Sequence, residues 1–378
     1  MVIVHSFVMF CWGAASSTNK INYIAEQVFI YVGSKLNNLG IKTFRKLILV
    51  VKQLVTGWTT NQQNMIKTHL QDYLSRFSLL NPNDQNSFDL FEGSWSTKIP
   101  NIQNTGEFDG FNDERITWLL EEIGAIEGKS VLEFGPLEGG HTYMLEKAGA
   151  EVTSIEANHG AFLRCLTVKN FLGLRSRFVL GDFSKIDLSN NRFQLVVACG
   201  VLYHMADPIS LLKSIANNTN NIFIWTHYFD ENFEKWSPEG RKQLKKGKWD
   251  LKNIEVEKFN ELEVRTVRQK YGQALGWTGF CGGTETFSYW VYRQDLLAVL
   301  KELGFINIRI NFDKIDHPNG PCFAIIASKF DTTYYLDPSV NPDLSEVFGK
   351  LSSAEKESQA IEHFNVYGRK EGRSPIAP

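Results

Sequence analysis

A short stretch in the middle of the 378-residue chain constrains the fold most strongly. The apolar run Val131–Phe134 predicts a buried strand, and the cluster Gly135–Gly140 interrupts it. Tyr143–Ala148 has the composition of a helix, and Glu151–Ile155 is typical of a second strand, which the acid Glu156 ends. Strand, glycine turn, helix, strand and acid follow one another as in a dinucleotide-type βαβ unit, in which such an acid binds a ribose.

The glycine turn argues against a cofactor with a pyrophosphate. The dinucleotide fingerprint has three glycines in G-x-G-x-x-G, and here Leu137 stands between Gly135 and Gly139 in place of the middle one. Glu133 at the strand end would repel a pyrophosphate, whereas it would attract an ammonium group. A ligand with a ribose, an adenine and an amino acid but no phosphate fits these residues, and S-adenosylmethionine meets that description.

Four motifs in order then give the sequence a family resemblance. Over roughly residues 128–328, the sequence resembles the class I S-adenosylmethionine-dependent methyltransferases. The four motifs that carry this resemblance are Glu133–Gly139, Glu156, Gly181-Asp182-Phe183 and Cys199–His204. The resemblance implies that Glu156 binds ribose hydroxyls, that Asp182 contacts the adenine amine and that the fourth motif lies beside the methyl group. It identifies as cofactor-binding residues Glu133, Gly135, Leu137, Gly139, His141, Glu156, Ala157, Asn158, Asp182, Phe183, Cys199 and Gly200.

The rest of this region predicts an α/β fold. Strands are expected over residues 177–180, 193–198 and 222–226, with helices between them, and a closing hairpin over 306–312 and 322–328. Alternating strands and helices give a doubly wound, mostly parallel sheet, and the methyltransferase resemblance implies seven strands. Ligands bind such sheets at the carboxyl ends of the strands.

Three side chains at those strand ends are the candidate catalytic residues. Tyr203 and His204 follow the fourth strand, and His227 follows the fifth. If the methyl acceptor is a hydroxyl group, a base assists its attack, and one of the two histidines is the candidate for that base. A structural role within the fold is the alternative for each of them.

The whole sequence is predicted to divide into four regions. Residues 1–64 form a helical extension that is partly disordered, and 65–127 form a covering segment of helix and loop. Residues 128–330 form the catalytic domain, with an inserted segment at 231–290, and 331–378 form a helical module. The insertion begins with a basic stretch, Arg241–Lys248, which predicts a solvated face, and continues with Tyr271–Thr284, whose glycines and aromatic residues are typical of a lid.

Composition and cysteine content limit which partners, metals and compartments the sequence favours. A formal net charge of −2 gives no overall attraction to nucleic acid. Five scattered cysteines without a C-x-x-C pair predict no metal site, and they indicate a reducing, cytoplasmic compartment. The apolar stretch Val2–Ala15 is too short for a membrane span. Residues 44–55 are expected to form a helix that packs on a neighbour or lies on a membrane surface.

The C-terminal residues bear on the acceptor. Tyr334–Leu344 and Ala360–Pro375 resemble a short module that is appended to bacterial glycan-linked transferases, which favours a saccharide or another small molecule as acceptor. Val201–His204 with Asp207-Pro208 is similar to the wobble-uridine tRNA enzymes, so an RNA methyltransferase is one alternative. A non-catalytic protein that keeps the cofactor fold for partner binding is the other. Oligomeric state stays open.

Overall fold

The structure, a computed structural model, describes Thr68 and residues 75–186 and 192–376. The chain divides into two compact units, residues 1–81 and 82–378, and the second unit contains the sheets and the cavity. The helical extension expected over residues 1–64 lies outside the described residues. No helix within the described ranges is long and apolar enough to cross a membrane.

A seven-stranded sheet forms the centre of the second unit. Its strands are β1 Ser130–Phe134, β2 Glu151–Glu156, β3 Arg177–Leu180, β4 Leu195–Cys199, β5 Asn221–His227, β9 Asn307–Lys314 and β10 Cys322–Ser328. They lie in the order β3-β2-β1-β4-β5-β10-β9, with β1 to β5 parallel and β10 antiparallel to both of its neighbours, β5 and β9. The doubly wound, mostly parallel seven-stranded sheet predicted from the sequence is confirmed.

Helices cover both faces of this sheet. They are α2 Glu114–Ile123, α3 Gly140–Lys147, α4 His159–Leu172, α5 Pro208–Ala216 and α7 Arg293–Glu302; the short α1 is Gln85–Asp89. All five residues of β4 are buried, as expected for a central parallel strand with a helix layer on each side. Two apolar clusters, one built around Val196 and Ile224 and one around Val197 and Phe223, pack on the sheet.

The insertion after β5 contains a second sheet that the sequence analysis missed. Helix α6, Pro238–Lys245, precedes three antiparallel strands, β6 Trp249–Phe259, β7 Leu262–Lys270 and β8 Phe287–Val291. The middle nine residues of β6 are not buried, and the strand carries charges along most of its length. Its sequence is therefore typical of an exposed, solvated segment. Strand β8 continues directly into α7.

The C-terminal module packs on the catalytic domain. Its helices are α8 Thr332–Tyr335, α9 Pro342–Phe348 and α10 Ser353–His363, followed by a π-helical turn, Phe364–Gly368. They enclose their own small core, which includes Phe330 and Phe364. The amide side chains of Asn307 and Asn365 bond to each other, and Arg369 donates to the carbonyl oxygen of Glu122. The tail is therefore a packed helical unit of this domain.

Candidate active site

A cavity of about 860 Å³ opens at the carboxyl ends of β1, β2, β4 and β5. Its floor is made by the glycine turn after β1, by Glu156 and Ala157, and by the residues that follow β4. Its roof comes from residues 96–115 and from the lid, which we define as residues 271–284. The strand ends of a doubly wound sheet are where such proteins bind ligands, so this is the candidate active site.

Glu156 is the acid that the sequence predicts for a ribose. It is 5% exposed, it lines the cavity, and burial raises the pKa of its carboxyl group. One carboxylate oxygen accepts from the amide of Asn158 at 2.8 Å, and the other accepts from the amide of Leu137 at 3.3 Å. Each oxygen therefore keeps acceptor capacity for a ligand hydroxyl.

The glycine turn has the backbone that the motif requires, including at its non-glycine position. Leu137 has a φ of +56°, in the left-handed region that a glycine adopts without strain. Gly135 has a φ of +62°, and a Cβ atom there would lie 2.9 Å from a methyl group of Val201. The turn thus keeps the close approach to the segment after β4 despite its leucine.

Three residues predicted to bind the cofactor do not line the cavity. Glu133 is fully buried, and its carboxylate accepts from the hydroxyls of Thr142 and Ser154, so the expected direct attraction of an ammonium group needs correction. Gly139 precedes α3 with a φ of +79°, and the side chain of Asn158 caps α4. The positions of these residues are determined by hydrogen bonding and helix capping, and a sequence motif reveals neither of them.

The predicted adenine end of the site has Asp182 and Phe183 in the cavity wall. The Asp182 carboxylate accepts from the amide and the hydroxyl of Ser184, so it caps the short 3₁₀ helix Phe183–Lys185. The ring of Phe183 packs 5.0 Å from that of Phe134. The capping role is thus present, and the contact with adenine stays a prediction.

A charged cluster that the sequence analysis did not assemble lies beside Cys199 and Gly200. Buried Asp113 caps α2, pairs with the Arg115 guanidinium and accepts from His141 Nε2 at 2.8 Å. Arg115 also lies over the Trp225 ring at 4.3 Å. Burial opposes the charge on His141, but Cys199 and Asp113 outweigh burial and raise its pKa to about 10. Arg115 and His141 therefore both pair with one carboxylate at this end of the cavity.

The protonated state of His141 has a testable effect on stability. Its pKa is raised from about 6.5 in the unfolded chain to about 10 in the fold. The charge therefore stabilises the fold fully below pH 6.5, and this contribution is lost as the pH rises through 10. We expect the difference in melting temperature between wild type and His141→Gln to be largest at and below pH 6.5 and to decrease up to about pH 10. A constant difference across this range would mean that His141 is neutral.

A buried ion pair fastens the roof to the glycine turn. Glu138 is completely buried, and its carboxylate accepts from Arg164 Nε at 3.1 Å and from the amides of Ser96 and Thr97 at 2.9 and 2.7 Å. On the outer side, the indole of Trp277 donates to the carbonyl oxygen of Gly93. The covering segment and the lid therefore meet over the cavity.

Removing the charge of Glu138 is expected to be costly. Glu138→Gln leaves the Arg164 guanidinium buried without a counterion, and breaking a buried pair in this way typically costs about 3–5 kcal/mol of unfolding free energy. Urea unfolding monitored by circular dichroism measures it. The double variant Glu138→Gln/Arg164→Met removes both charges and should recover part of the loss. A single variant within about 1 kcal/mol of wild type would show that the pair does not hold the roof.

The three candidate catalytic residues occupy different positions. Tyr203 and His204 line the cavity. The hydroxyl of Tyr271 donates to the His204 carbonyl oxygen at 3.1 Å and lies 3.2 Å from Nδ1, an arrangement in which Nδ1 carries the proton and Nε2 is free to accept one. Burial, with Lys248 nearby, lowers the His204 pKa to about 4, so the ring is neutral at pH 7.

His227 lies behind the cavity wall. Its ring packs 4.7 Å from Tyr203 and stacks on Trp290 at 4.9 Å, with 8° between the planes. Its Nδ1 lies 2.9 Å from the carbonyl oxygen of Gly320. Among the cavity-lining residues that sequence reasoning missed are His317, Asn319 and Cys322, from the β9–β10 turn and the start of β10. The predicted hairpin turn was the signal that could have pointed to them.

Comparisons with known proteins find similarity to methyltransferases. Residues 132–220 match a family described as a methyltransferase domain. The tRNA U34 carboxymethyltransferase of Dichelobacter nodosus is 30% identical over 107 residues, which are 28% of this chain and 34% of that protein. The enzyme of the same name from Campylobacter curvus is 25% identical over 109 residues, 28% of this chain and 37% of that protein. The chain thus spans little more than a third of the length of these two relatives.

Solved structures that match this chain include two crystallised with S-adenosylhomocysteine. The N-terminal domain of EvdMO1, in the presence of this ligand and D-fucose, has a TM-score of 0.48 and 20% identity over 65% of this chain and 94% of that one. Magnesium protoporphyrin IX methyltransferase from Synechocystis PCC 6803 has a TM-score of 0.40 and 15% identity over 70% of this chain and 99% of that one.

Proposed function

We propose that this chain, a class I S-adenosylmethionine-dependent methyltransferase, transfers a methyl group to an oxygen or another nucleophile of a small molecule or saccharide. The observation that carries the proposal is the cavity of about 860 Å³, which has the Glu156 carboxylate at one end and aromatic and polar side chains at the other. Pockets for drug-sized ligands measure about 300–1,000 Å³, so the cavity has the size for a cofactor and a small acceptor.

The residues present fit the cofactor. Glu156 is a buried carboxylate whose recorded hydrogen-bond partners are backbone amides, so two ribose hydroxyls would supply the donors that its oxygens still lack. Asp182 and Phe183 would hold the adenine. Arg115 and His141 would attract the carboxylate of the methionine part. Bound there, S-adenosylmethionine supplies a methyl group on a positively charged sulfur.

This chain's own contribution is alignment and the exclusion of water. Methyl transfer is an in-line displacement, which gains most from holding the two reactants at the correct distance and angle. Two hydrogen bonds join the lid to the covering segment, and a bound donor under these segments would be partly shielded from water. If the acceptor is a hydroxyl, His204 is the candidate to take its proton through Nε2; a carboxylate acceptor needs no base.

The acceptor end combines flat rings with hydrogen-bonding groups, as a saccharide requires. Trp225, Phe280 and Phe312 present rings to the cavity, and Lys314 and Asn319 present polar groups. Rings of this kind pack against the apolar face of a sugar, while the polar groups bond its hydroxyls. The C-terminal module resembles those of bacterial glycan-linked transferases, which also favours a saccharide acceptor. We further propose that the enzyme acts in the bacterial cytoplasm.

Identification of the labelled product tests the proposal. Purified enzyme is incubated with fractionated extract and S-adenosylmethionine that carries a ¹³CD₃ methyl group, and small molecules and RNA are analysed by mass spectrometry. A small molecule or saccharide that gains the labelled methyl would support the proposal. Label found only in RNA would overturn it.

Transfer-RNA methylation is the second candidate, because the curated relatives named above act on tRNA U34 by name. The basic residues of and after α6, among them Lys242 and Lys245, are the surface that could bind RNA. Binding through phosphate contacts weakens steeply with salt. A gel shift with bulk tRNA that disappears between about 50 and 200 mM salt, and that Lys242→Glu/Lys245→Glu weakens, would favour this alternative.

A further inference from the structure

Three potential metal ligands lie together at the acceptor end of the cavity, two in its wall and one, His227, behind the wall. One ligand atom each from His227, His317 and Cys322 lies within 4.8 Å of the others. Cys322 is directly opposite His227 in the antiparallel pairing of β10 with β5, so their side chains share one face of the sheet. His317 comes from the turn that precedes β10. The residues assigned to the methyl donor do not include any of the three.

The His227 ring is held as a metal ligand would be. Its Nδ1 lies 2.9 Å from the Gly320 carbonyl oxygen and 3.1 Å from that of Pro321, and both oxygens can only accept, so Nδ1 carries the proton. Nε2 of the neutral ring then has its lone pair available. A backbone carbonyl that orients a histidine in this way is typical of metal sites. Stacking on Trp290 fixes the plane of the ring.

His317 and Cys322 supply the other two ligands from the cavity wall. The His317 ring lies 5.2 Å from that of His227. The amide of Asn319 donates to His317 Nδ1 at 3.2 Å, so ligation through Nε2 shifts the ring proton to Nδ1 and ends that contact. Burial raises the pKa of the Cys322 thiol to about 11, and ligation releases its proton to solvent.

We propose that His227, His317 and Cys322 bind a zinc-type divalent ion whose fourth coordination position faces the acceptor. Two imidazoles and a thiolate suit zinc or cobalt and do not suit magnesium. Three protein ligands with one open position are the pattern of catalytic zinc sites. Resting on the proposed function, the inference adds that the ion holds an oxygen of the acceptor at this end of the cavity. It replaces the sequence-based expectation of no metal site.

Two nearby cations limit the affinity of this site. The charges of Lys314 and Arg115 act on both His317 and Cys322, so they oppose an incoming dication. The same charges favour the thiolate form of the cysteine, which neutralises one positive charge of the ion. The site is therefore expected to fill reversibly when zinc is supplied.

Zinc binding to the full chain tests the site without donor or acceptor. After equilibrium dialysis against zinc, elemental analysis should find about one ion per chain in wild type. The affinity should fall about tenfold or more in Cys322→Ala and in His317→Asn, because even the loss of an outer hydrogen-bond partner costs about 10–100-fold. Cys281→Ser removes another thiol of the same cavity and should bind zinc as wild type does.

Cobalt gives a spectroscopic readout of the same ligands. A thiolate-to-cobalt charge-transfer band should appear in wild type and in Cys281→Ser and be absent in Cys322→Ala. Circular dichroism checks that each variant is folded, and His317→Asn, in a turn, provides a second test if Cys322→Ala does not fold. Zinc uptake that is absent, or equal in wild type and both ligand variants, would overturn the proposal. Because S-adenosylhomocysteine binding is measured separately, that result would leave the proposed methyl transfer standing.

Discussion

Glu156→Ala is expected to weaken the binding of S-adenosylhomocysteine by about 10²- to 10⁴-fold. Glu156 lines the cavity as a buried carboxylate with free acceptor capacity on both oxygens. Two charge-assisted bonds from ribose hydroxyls are worth about 1.5–3 kcal/mol each. At about 1.4 kcal/mol for each tenfold change in affinity, their loss gives this range. Isothermal titration calorimetry measures it.

Glu151→Ala is the matched control for that prediction. Glu151 lies at the other end of the same strand and is exposed, so its removal takes away one acid of β2 without touching the cavity. The control should bind S-adenosylhomocysteine as wild type does. Equal affinity of wild type and Glu156→Ala would remove Glu156 from the binding site.

His204→Gln is expected to lower kcat by about 10²- to 10⁴-fold when the acceptor is a hydroxyl, which is the usual contribution of a general base. Cofactor affinity should not change. Because burial lowers the His204 pKa to about 4, the acidic limb of the wild-type pH–rate profile should lie near pH 4, below the imidazole value of about 6.5. The variant should lose that limb.

The control for this variant is His159→Gln, which removes an exposed histidine at the start of α4. It should have wild-type kcat. A His204→Gln enzyme with normal turnover on its true acceptor would exclude the base role. A lower melting temperature without a specific kinetic defect would instead assign His204 to the structure, through its contact with Tyr271.

The parts of the fold that could be predicted from the sequence depend on residues close together in the chain. The turn between β1 and α3 is built from closely spaced glycines, and Glu156 ends the very next strand. The apolar run of β4 also predicts by itself a strand buried on both faces. Local patterns of this kind have few alternative structures, so they can be interpreted correctly without knowledge of the whole fold.

The charged cluster and the roof could not be predicted because their partners are distant in sequence. His141 meets Asp113 across 28 residues, and Glu138 meets Ser96 and Thr97 across 42 and 41 residues. No local pattern signals such contacts. Glu133 is a case in which a local motif gives the wrong expectation. The motif predicts this acid in the cavity, but its carboxylate instead accepts hydrogen bonds from two buried hydroxyls.

Direct competition between two ligands tests the central claim that this cavity binds S-adenosylmethionine. The full chain is titrated with S-adenosylhomocysteine in a calorimeter, alone and in the presence of NAD. The structure predicts one binding site per chain and an affinity for S-adenosylhomocysteine that NAD does not change. The reason is that the glycine turn beside Glu156 lacks the fingerprint that binds a pyrophosphate. Absence of a binding signal, or displacement by NAD at equal concentration, would contradict the claim.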